Sequence, residues 1–176
     1  TQFNPFDRLI SNRAPLPSEK LYLHEDQFLS ESLSDKVHRI RKVMSDETAD
    51  VHIISTLDDI AWLTNLRGRD VTYNPVFLAF VMITPSSVTL FIDEEKLTPE
   101  VKKYLTEHKV TVFPYDTFYD ELGNIPADKT VMLDEKRTTY AALEAIDEAC
   151  EILYLPNPST LFKAQKSDED LAHIQE

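Results

Sequence analysis

Apolar and polar positions change period several times along this chain, and each change marks an element. From Ser34 to Ser45 the apolar residues Val37, Ile40, Val43 and Met44 recur at helical spacing. Lys36, Arg39, Arg41 and Lys42 are expected to point outward, with Ser34 as the cap. Asp50–Ser55 (DVHIIS) predicts a short buried strand. A second helix over Leu57–Asn65 buries Ile60, Ala61 and Leu63, with Trp62 read as core, and Gly68 ends this unit. Phe77–Thr84 is apolar almost throughout, which predicts a strand covered on both faces. Pro85, Ser86 and Ser87 then turn the chain back into Val88–Ile92, an antiparallel hairpin. Thr98 caps a helix with Pro99 at its first position, running to Glu107. Strand Val110–Phe113, a short helix Tyr115–Leu122, strand Thr130–Leu133, a helix Thr138–Cys150 and strand Ile152–Tyr154 complete the series. Strands alternating with helices, interrupted by one hairpin, predict an α/β fold. Its sheet is mixed and mostly parallel, with helices on both faces.

The two ends break this rhythm. Pro5, Pro15 and Pro17 interrupt residues 1–30, which read as an extended interdomain arm. The apolar residues Phe3, Phe6, Leu9, Leu21 and Leu23 argue that part of that arm packs. Residues 31–165 form the domain proper. Residues 166–176 open a further helix, with Ser167 as its cap and Asp168, Glu169 and Asp170 in the first turn, where the dipole favours negative charge. That helix has no terminator and residue 1 is Thr, so the chain is expected to continue in both directions.

Composition narrows the partners. Thirty-one acidic residues against 18 basic ones give a formal charge of −13, which repels phosphate backbones and anionic membranes. No nucleic-acid or membrane partner is therefore expected, and no apolar run reaches the roughly 18 residues of a membrane helix. The single cysteine, Cys150, excludes an intrachain disulfide and fits a reducing compartment. It reads as a small buried hydrophobe on a helical face.

Candidate chemistry is sparse. His24, His38, His52, His108 and His173 are scattered over different elements without metal-ligand spacing, and each reads as a surface or edge residue. Asp58 and Asp59 follow the first predicted strand, where an open α/β sheet places its ligand crevice. With Asp93, or with Asp134 and Glu135, they offer the carboxylates of a two-magnesium nuclease. The competing and simpler reading is that acids in the first turn of a helix stabilise its dipole. No G-x-S-x-G elbow supports a serine hydrolase, and with glycine only at 68 and 123 no phosphate-binding loop is present. Arg67, beside Gly68, is the side chain best suited to hold a carboxylate or carbonyl in a forked bond. The alternative is that it pairs with Asp70 or a neighbouring acid and fixes its own loop.

The run Asp58-Asp59-Ile60-Ala61-Trp62-Leu63, then Asn65-Leu66-Arg67-Gly68, then Tyr73-Asn74-Pro75-Val76-Phe77 resembles a segment of the cytosolic Xaa-Pro aminopeptidases, or aminopeptidases P. These are relatives of prolidase and creatinase. Lys163-Ala164-Gln165-Lys166 matches the segment that leads into their catalytic domain. The likeness covers residues 30–176 and is strongest over 56–92. It implies a non-catalytic middle domain with the creatinase N-terminal, ribonuclease H-like topology, carrying no catalytic or metal-binding residue itself. Asn65, Arg67, Asp70 and Tyr73 are implied as substrate-binding. The resemblance further implies a cytoplasmic enzyme with two divalent ions, manganese in this family, in the domain that follows. Its partners would be its own catalytic and N-terminal domains, a peptide with proline at the second position, and a second copy in a homodimer. The alternative is a protein-interaction domain of an aminopeptidase-like protein that has lost its metal ligands.

Overall fold

The computed structural model describes residues 14–168 and Leu171. Phe3, Phe6, Leu9 and His173 lie outside the described residues. The strands are β1 (Tyr22–Leu23), β2 (Val51–Ile54), β3 (Leu66–Arg67), β4 (Phe80–Ile83), β5 (Val88–Phe91), β6 (Val110–Phe113), β7 (Thr130–Leu133) and β8 (Glu151–Tyr154). The helices are α1 (Leu33–Asp46), α2 (Leu57–Thr64), α3 (Pro99–Glu107), α4 (Phe118–Gly123), α5 (Tyr140–Ala145) and α6 (Pro158–Ala164). Six strands form one sheet in the order β6-β5-β4-β2-β7-β8. The pairs β5·β6, β2·β7 and β7·β8 are parallel, while β4 runs antiparallel to both β5 and β2. This is the expected mixed, mostly parallel sheet with its inserted hairpin.

The period of two along the strands divides the core. Ile54, Val81, Ile83, Leu90 and Met132 face one layer, where they meet Val37, Ile40 and Met44 of α1, Ile60 and Leu63 of α2, and Val101 and Leu105 of α3. Val51, Ile53, Phe80, Phe91, Val131 and Leu133 face the other, against Phe118 and Leu122 of α4 and Ala142 of α5. Helices thus cover both faces. β4 is an inner strand, so Phe80 and Ile83 are buried as the apolar run requires, while Met82 keeps some exposure.

Three local expectations are corrected. Helix α1 is capped by Ser32, not Ser34. The Ser32 hydroxyl accepts from Asp35 N at 3.2 Å, and the Asp35 carboxylate accepts from Ser32 N at 3.3 Å. The serine with an acid three residues on wins, because it satisfies two orphan amide donors at once. Lys36 does not point outward; it lies inside the apolar stripe Leu33, Val37, Ile40, Met44 and is buried. The helix expected over 138–150 stops at Ala145. Asp147 takes Ala149 N on its own side chain at 2.9 Å and Cys150 N on its carbonyl at 2.9 Å, an Asx-type turn that competes with helix. Cys150 is buried as expected, though on that turn.

The arm from residue 14 is partly built in. Leu21 is buried, and β1 pairs antiparallel with β3 through Tyr22↔Arg67 and Leu23↔Leu66.

Candidate functional site

Helix α2 ends at Asn65, which adopts a left-handed conformation (φ 56°) and turns the chain into the loop that precedes β4. Asn65 is buried and acts as a joint. Its carbonyl accepts from His24 N at 2.9 Å, and its Nδ2 donates to Glu31 O at 3.1 Å. The Lys36 ammonium donates both to Asn65 Oδ1 and, at 2.7 Å, to Trp62 O. One buried cation thereby supplies donors to the end of a helix, where carbonyls lack intrahelical partners. The same ammonium lies 4.5 Å over the half-buried Trp62 ring.

Arg67 follows the same logic. Its Nη1 donates to Ala61 O at 2.8 Å and Leu66 O at 2.9 Å, and burial lowers its pKa from the ordinary value. The expected Arg67–Asp70 pair does not form, because Asp70 has a nearer and better buried cation. The Asp70 carboxylate is bonded to the Lys96 ammonium, with both side chains essentially sealed from water, and its Oδ2 also accepts Leu78 N at 2.7 Å. Gly68 sits where a Cβ would come within 2.7 Å of Phe77 Cβ. Close packing of the loop base therefore demands glycine at this point.

Tyr73 is the opposite case. It caps the loop at φ 62° and is fully exposed, beside the half-exposed Val71. Val71 and Asn74 form an isolated antiparallel bridge beneath it, and Asn74 N donates to Val71 O at 3.1 Å. A left-handed backbone at a bulky residue costs roughly 1–2 kcal/mol, so the tip is held there by the rest of the loop. The four candidate residues lie on one loop, but only Tyr73 has its side chain outward. Asn65 is spent on Lys36 and the Glu31 carbonyl, Arg67 on the Ala61 and Leu66 carbonyls, and Asp70 on Leu78 N and Lys96.

A second polar cluster lies at the carboxyl ends of β2, β7 and β8. Here the chain leaves β2 for α2 on one face of the sheet and leaves β7 for α5 on the other, the crevice expected from the topology. Asp59 is fully buried at its centre. Its Oδ2 accepts from Thr56 Oγ1 at 2.5 Å, Asn157 Nδ2 at 3.1 Å and Thr160 Oγ1 at 3.2 Å, while Oδ1 accepts from Lys163 at 2.9 Å. Lys163 also pairs with Asp58. Burial works to lower the Lys163 pKa, but the bonds to both carboxylates outweigh it and the net shift is upward. Asp134 Oδ2 accepts Asn157 N at 3.1 Å.

His52, expected on a surface or edge, is fully buried, with Nδ1 3.0 Å from Met132 O and Nε2 3.2 Å from Asn157 Oδ1. Burial lowers its pKa, against the pull of those two bonds. Above the cluster, a cleft of about 320 Å³ is lined by Asp134, Arg137, Tyr154, Leu155 and Thr160.

This donor set does not fit a catalytic ion. Asp58 and Asp59 are both paired with Lys163, and Asp93 stands at the end of β5, three strands from β7. Among the described residues no three His, Cys, Asp or Glu side chains converge as a metal site. The two acids do occupy the first turn of α2, as the dipole argument requires.

Sequence reasoning missed Lys36, Lys96, Lys163 and Asn157 as the partners that organise both clusters. Lys36 left a legible trace, a cation inside an apolar stripe. Lys96 left none, because its partner is far away in sequence; Asn157 left only the cap-plus-proline start of α6, a helix the sequence reading did not include.

Comparison with known proteins places this architecture. Residues 12–170 match the family model of the creatinase/prolidase N-terminal domain. A probable Xaa-Pro aminopeptidase P of Leptosphaeria maculans is 34% identical over 182 residues, covering 98% of this chain. One of Ajellomyces capsulatus is 45% identical over 174 residues, covering 92%. The chain spans only 30% and 28% of their respective lengths. Among solved structures, the X-prolyl aminopeptidase of Caenorhabditis elegans, described as a cytosolic enzyme with a di-nuclear active site, superposes with a TM-score of 0.90. That likeness of fold covers 99% of this chain and 29% of that one at 24% identity. The aminopeptidase P of Streptococcus thermophilus gives 0.55 over 74% of this chain and 98% of its own, at 18% identity. The chain belongs to the creatinase/prolidase N-terminal domain family.

Proposed function

We propose that this chain is the non-catalytic middle domain of a metal-dependent Xaa-Pro aminopeptidase, an enzyme that removes the N-terminal residue preceding proline. The observation that carries this reading is the extent of the match. Relatives called Xaa-Pro aminopeptidase P align with nearly the whole chain, yet the chain accounts for under a third of their length. The catalytic residues and two divalent ions, manganese, then belong to the remainder of the protein. A donor set already consumed by Lys163 is in keeping with that division of labour. A cytoplasmic location agrees with the single cysteine and with the cytosolic C. elegans enzyme. The partners are the protein's own catalytic and N-terminal domains, a second copy in a homodimer, and a peptide with proline at its second position. The charge of −13 disfavours nucleic acid and anionic membranes.

Within this reading the loop after α2 borders the substrate. Tyr73 makes the contact, while Asn65, Arg67 and Asp70 hold the loop in place. The test is made on the intact enzyme with manganese and an Xaa-Pro peptide. Tyr73→Ala lowers kcat/KM about tenfold, the equivalent of roughly 1.4 kcal/mol of transition-state stabilisation, and leaves the melting temperature in place. Arg67→Ala lowers the melting temperature, because it strips two carbonyls of a charged donor worth about 1.5–3 kcal/mol. Unchanged kinetics in Tyr73→Ala remove the loop from the site. Two-site manganese binding with peptide turnover by the 176-residue chain alone sinks the middle-domain assignment.

A further inference from the structure

His52 sits in β2 between Ile83 of β4 and Met132 of β7, with no exposed surface. Both ring nitrogens face oxygens. The Met132 carbonyl can only accept, so Nδ1 carries a proton. The other oxygen belongs to the Asn157 amide, whose orientation two further bonds fix. Asn157 Oδ1 accepts Ser159 N at 3.3 Å, which caps α6, and Nδ2 donates to Asp59 Oδ2 at 3.1 Å. Turning the amide over sets donor against donor at Ser159 and acceptor against carboxylate at Asp59. The oxygen therefore stays toward His52, and Nε2 needs a proton as well. Only the imidazolium satisfies both contacts.

We propose that His52 and Asn157 form a proton-controlled clamp on the first turn of α6. Doubly protonated His52 closes it; singly protonated His52 keeps its proton on Nδ1, at the nearer Met132 carbonyl (3.0 Å against 3.2 Å), and leaves the lone pairs of Nε2 and Asn157 Oδ1 facing each other. The charges around the clamp come from three elements. Helix α2 supplies Asp59, with Asp58 farther out; the end of β7 supplies Asp134 with Arg137 3.9 Å from it; α6 supplies Lys163, bonded to both Asp58 and Asp59. β4 contributes the apolar Ile83. The α1 cations are engaged elsewhere, Lys36 at the end of α2 and Arg39 on Glu31 and the Phe162 ring. Asp59 and Asp134 favour the imidazolium, but burial outweighs them, so the second proton enters below the ordinary value of 6.5.

The sign of the effect on stability follows from this. The unfolded ring protonates first, so the global stability contributed by His52 is complete above 6.5 and is lost as pH falls through the lower folded value. The clamp itself tightens over the same interval. Acid therefore weakens the domain globally while ordering α6 locally, and α6 is the helix that leads to residues 165–168.

Nitrogen-detected NMR of the histidine rings in the 176-residue chain tests the clamp. On acidification His52 gains Nε2–H in a single titration below 6.5. The Asn157 side-chain amide and Ser159 N signals shift with the same midpoint, and the protection factors of the α6 amides, corrected for the intrinsic pH dependence of exchange, rise. In His52→Gln those shifts vanish. Three results overturn the proposal: a His52 that gains its second proton with no response at Asn157 and Ser159, one that stays singly protonated until the chain unfolds, or shifts that persist in His52→Gln. If the variant does not fold, the wild-type titration decides by itself.

Discussion

The Lys96–Asp70 pair gives the sharpest quantitative test of the loop. Both side chains are buried, at 2% and 0% exposure, and Asp70 also holds Leu78 N. Removing one partner of such a pair strands a charge away from water and typically costs about 3–5 kcal/mol. Lys96→Met strands the carboxylate, and Asp70→Asn strands the ammonium. Asparagine retains an oxygen for Leu78 N, so that bond is not a further loss. The double variant strands no charge and forfeits only the net value of the lost bond, about 0.5–1.5 kcal/mol. The expected order is therefore unusual: the double variant is more stable than either single one. Urea titration of the four proteins measures this, with the midpoint shift interpreted only where the slope stays constant. Additive behaviour, a double loss of about 6–10 kcal/mol from the sum of two such single losses, would refute the stranded-charge argument, and single losses below about 1 kcal/mol would place the pair in water.

Three further outcomes follow from the packing and the charges. Phe80→Ala removes a ring stacked on Phe118 at a centroid distance of 3.9 Å and on Tyr115 at 5.2 Å, and should cost about 3–5 kcal/mol in denaturant titration; a loss below ~1 kcal/mol contradicts its inner-strand position. Gly68→Ala should cost about 1–3 kcal/mol, since its Cβ meets Phe77 Cβ at 2.7 Å and the buried Leu21 at 3.0 Å; an unchanged midpoint shows that the loop base can yield. The Asp50 carboxylate accepts Thr130 N at 3.0 Å, and that bond holds its pKa below 3.8. Its stabilisation is complete above 3.8 and fades as pH falls through the lowered value, so Asp50→Asn should flatten this part of the acid-unfolding curve.

The strands and most helices were legible because they depend on local period. The hairpin after Phe77 was marked by Pro85 and two serines, and α3 by Thr98 with Pro99. Two competing serines hid the true start of α1, since choosing between them needs the reciprocal bond to Asp35. Asp147 ended α5 early through a side-chain bond that periodicity does not register. The resemblance pointed to the loop after α2, but the contacts its residues make were not visible in the sequence. Whether Arg67 meets Asp70 depends on where Lys96 lies, 26 residues after Asp70. His52 was misplaced for the same reason. Its burial follows from its inner strand and from a capping asparagine 105 residues away.

Cys150 gives the molecule a built-in reporter. Its thiol donates to Pro126 O at 3.3 Å and is enclosed with Phe118, Leu122, Ala142 and Ile146 on the face covered by α4 and α5. A thiol reagent reaches it only when that layer lifts. Because no second cysteine competes, each labelled molecule records one opening. The α1–α3 layer lies across the sheet and carries no such marker. Labelling rates followed through a denaturant series therefore read the opening free energy of one half of the core alone. Compared with global unfolding, they reveal whether the sheet's two coats come off together or in turn.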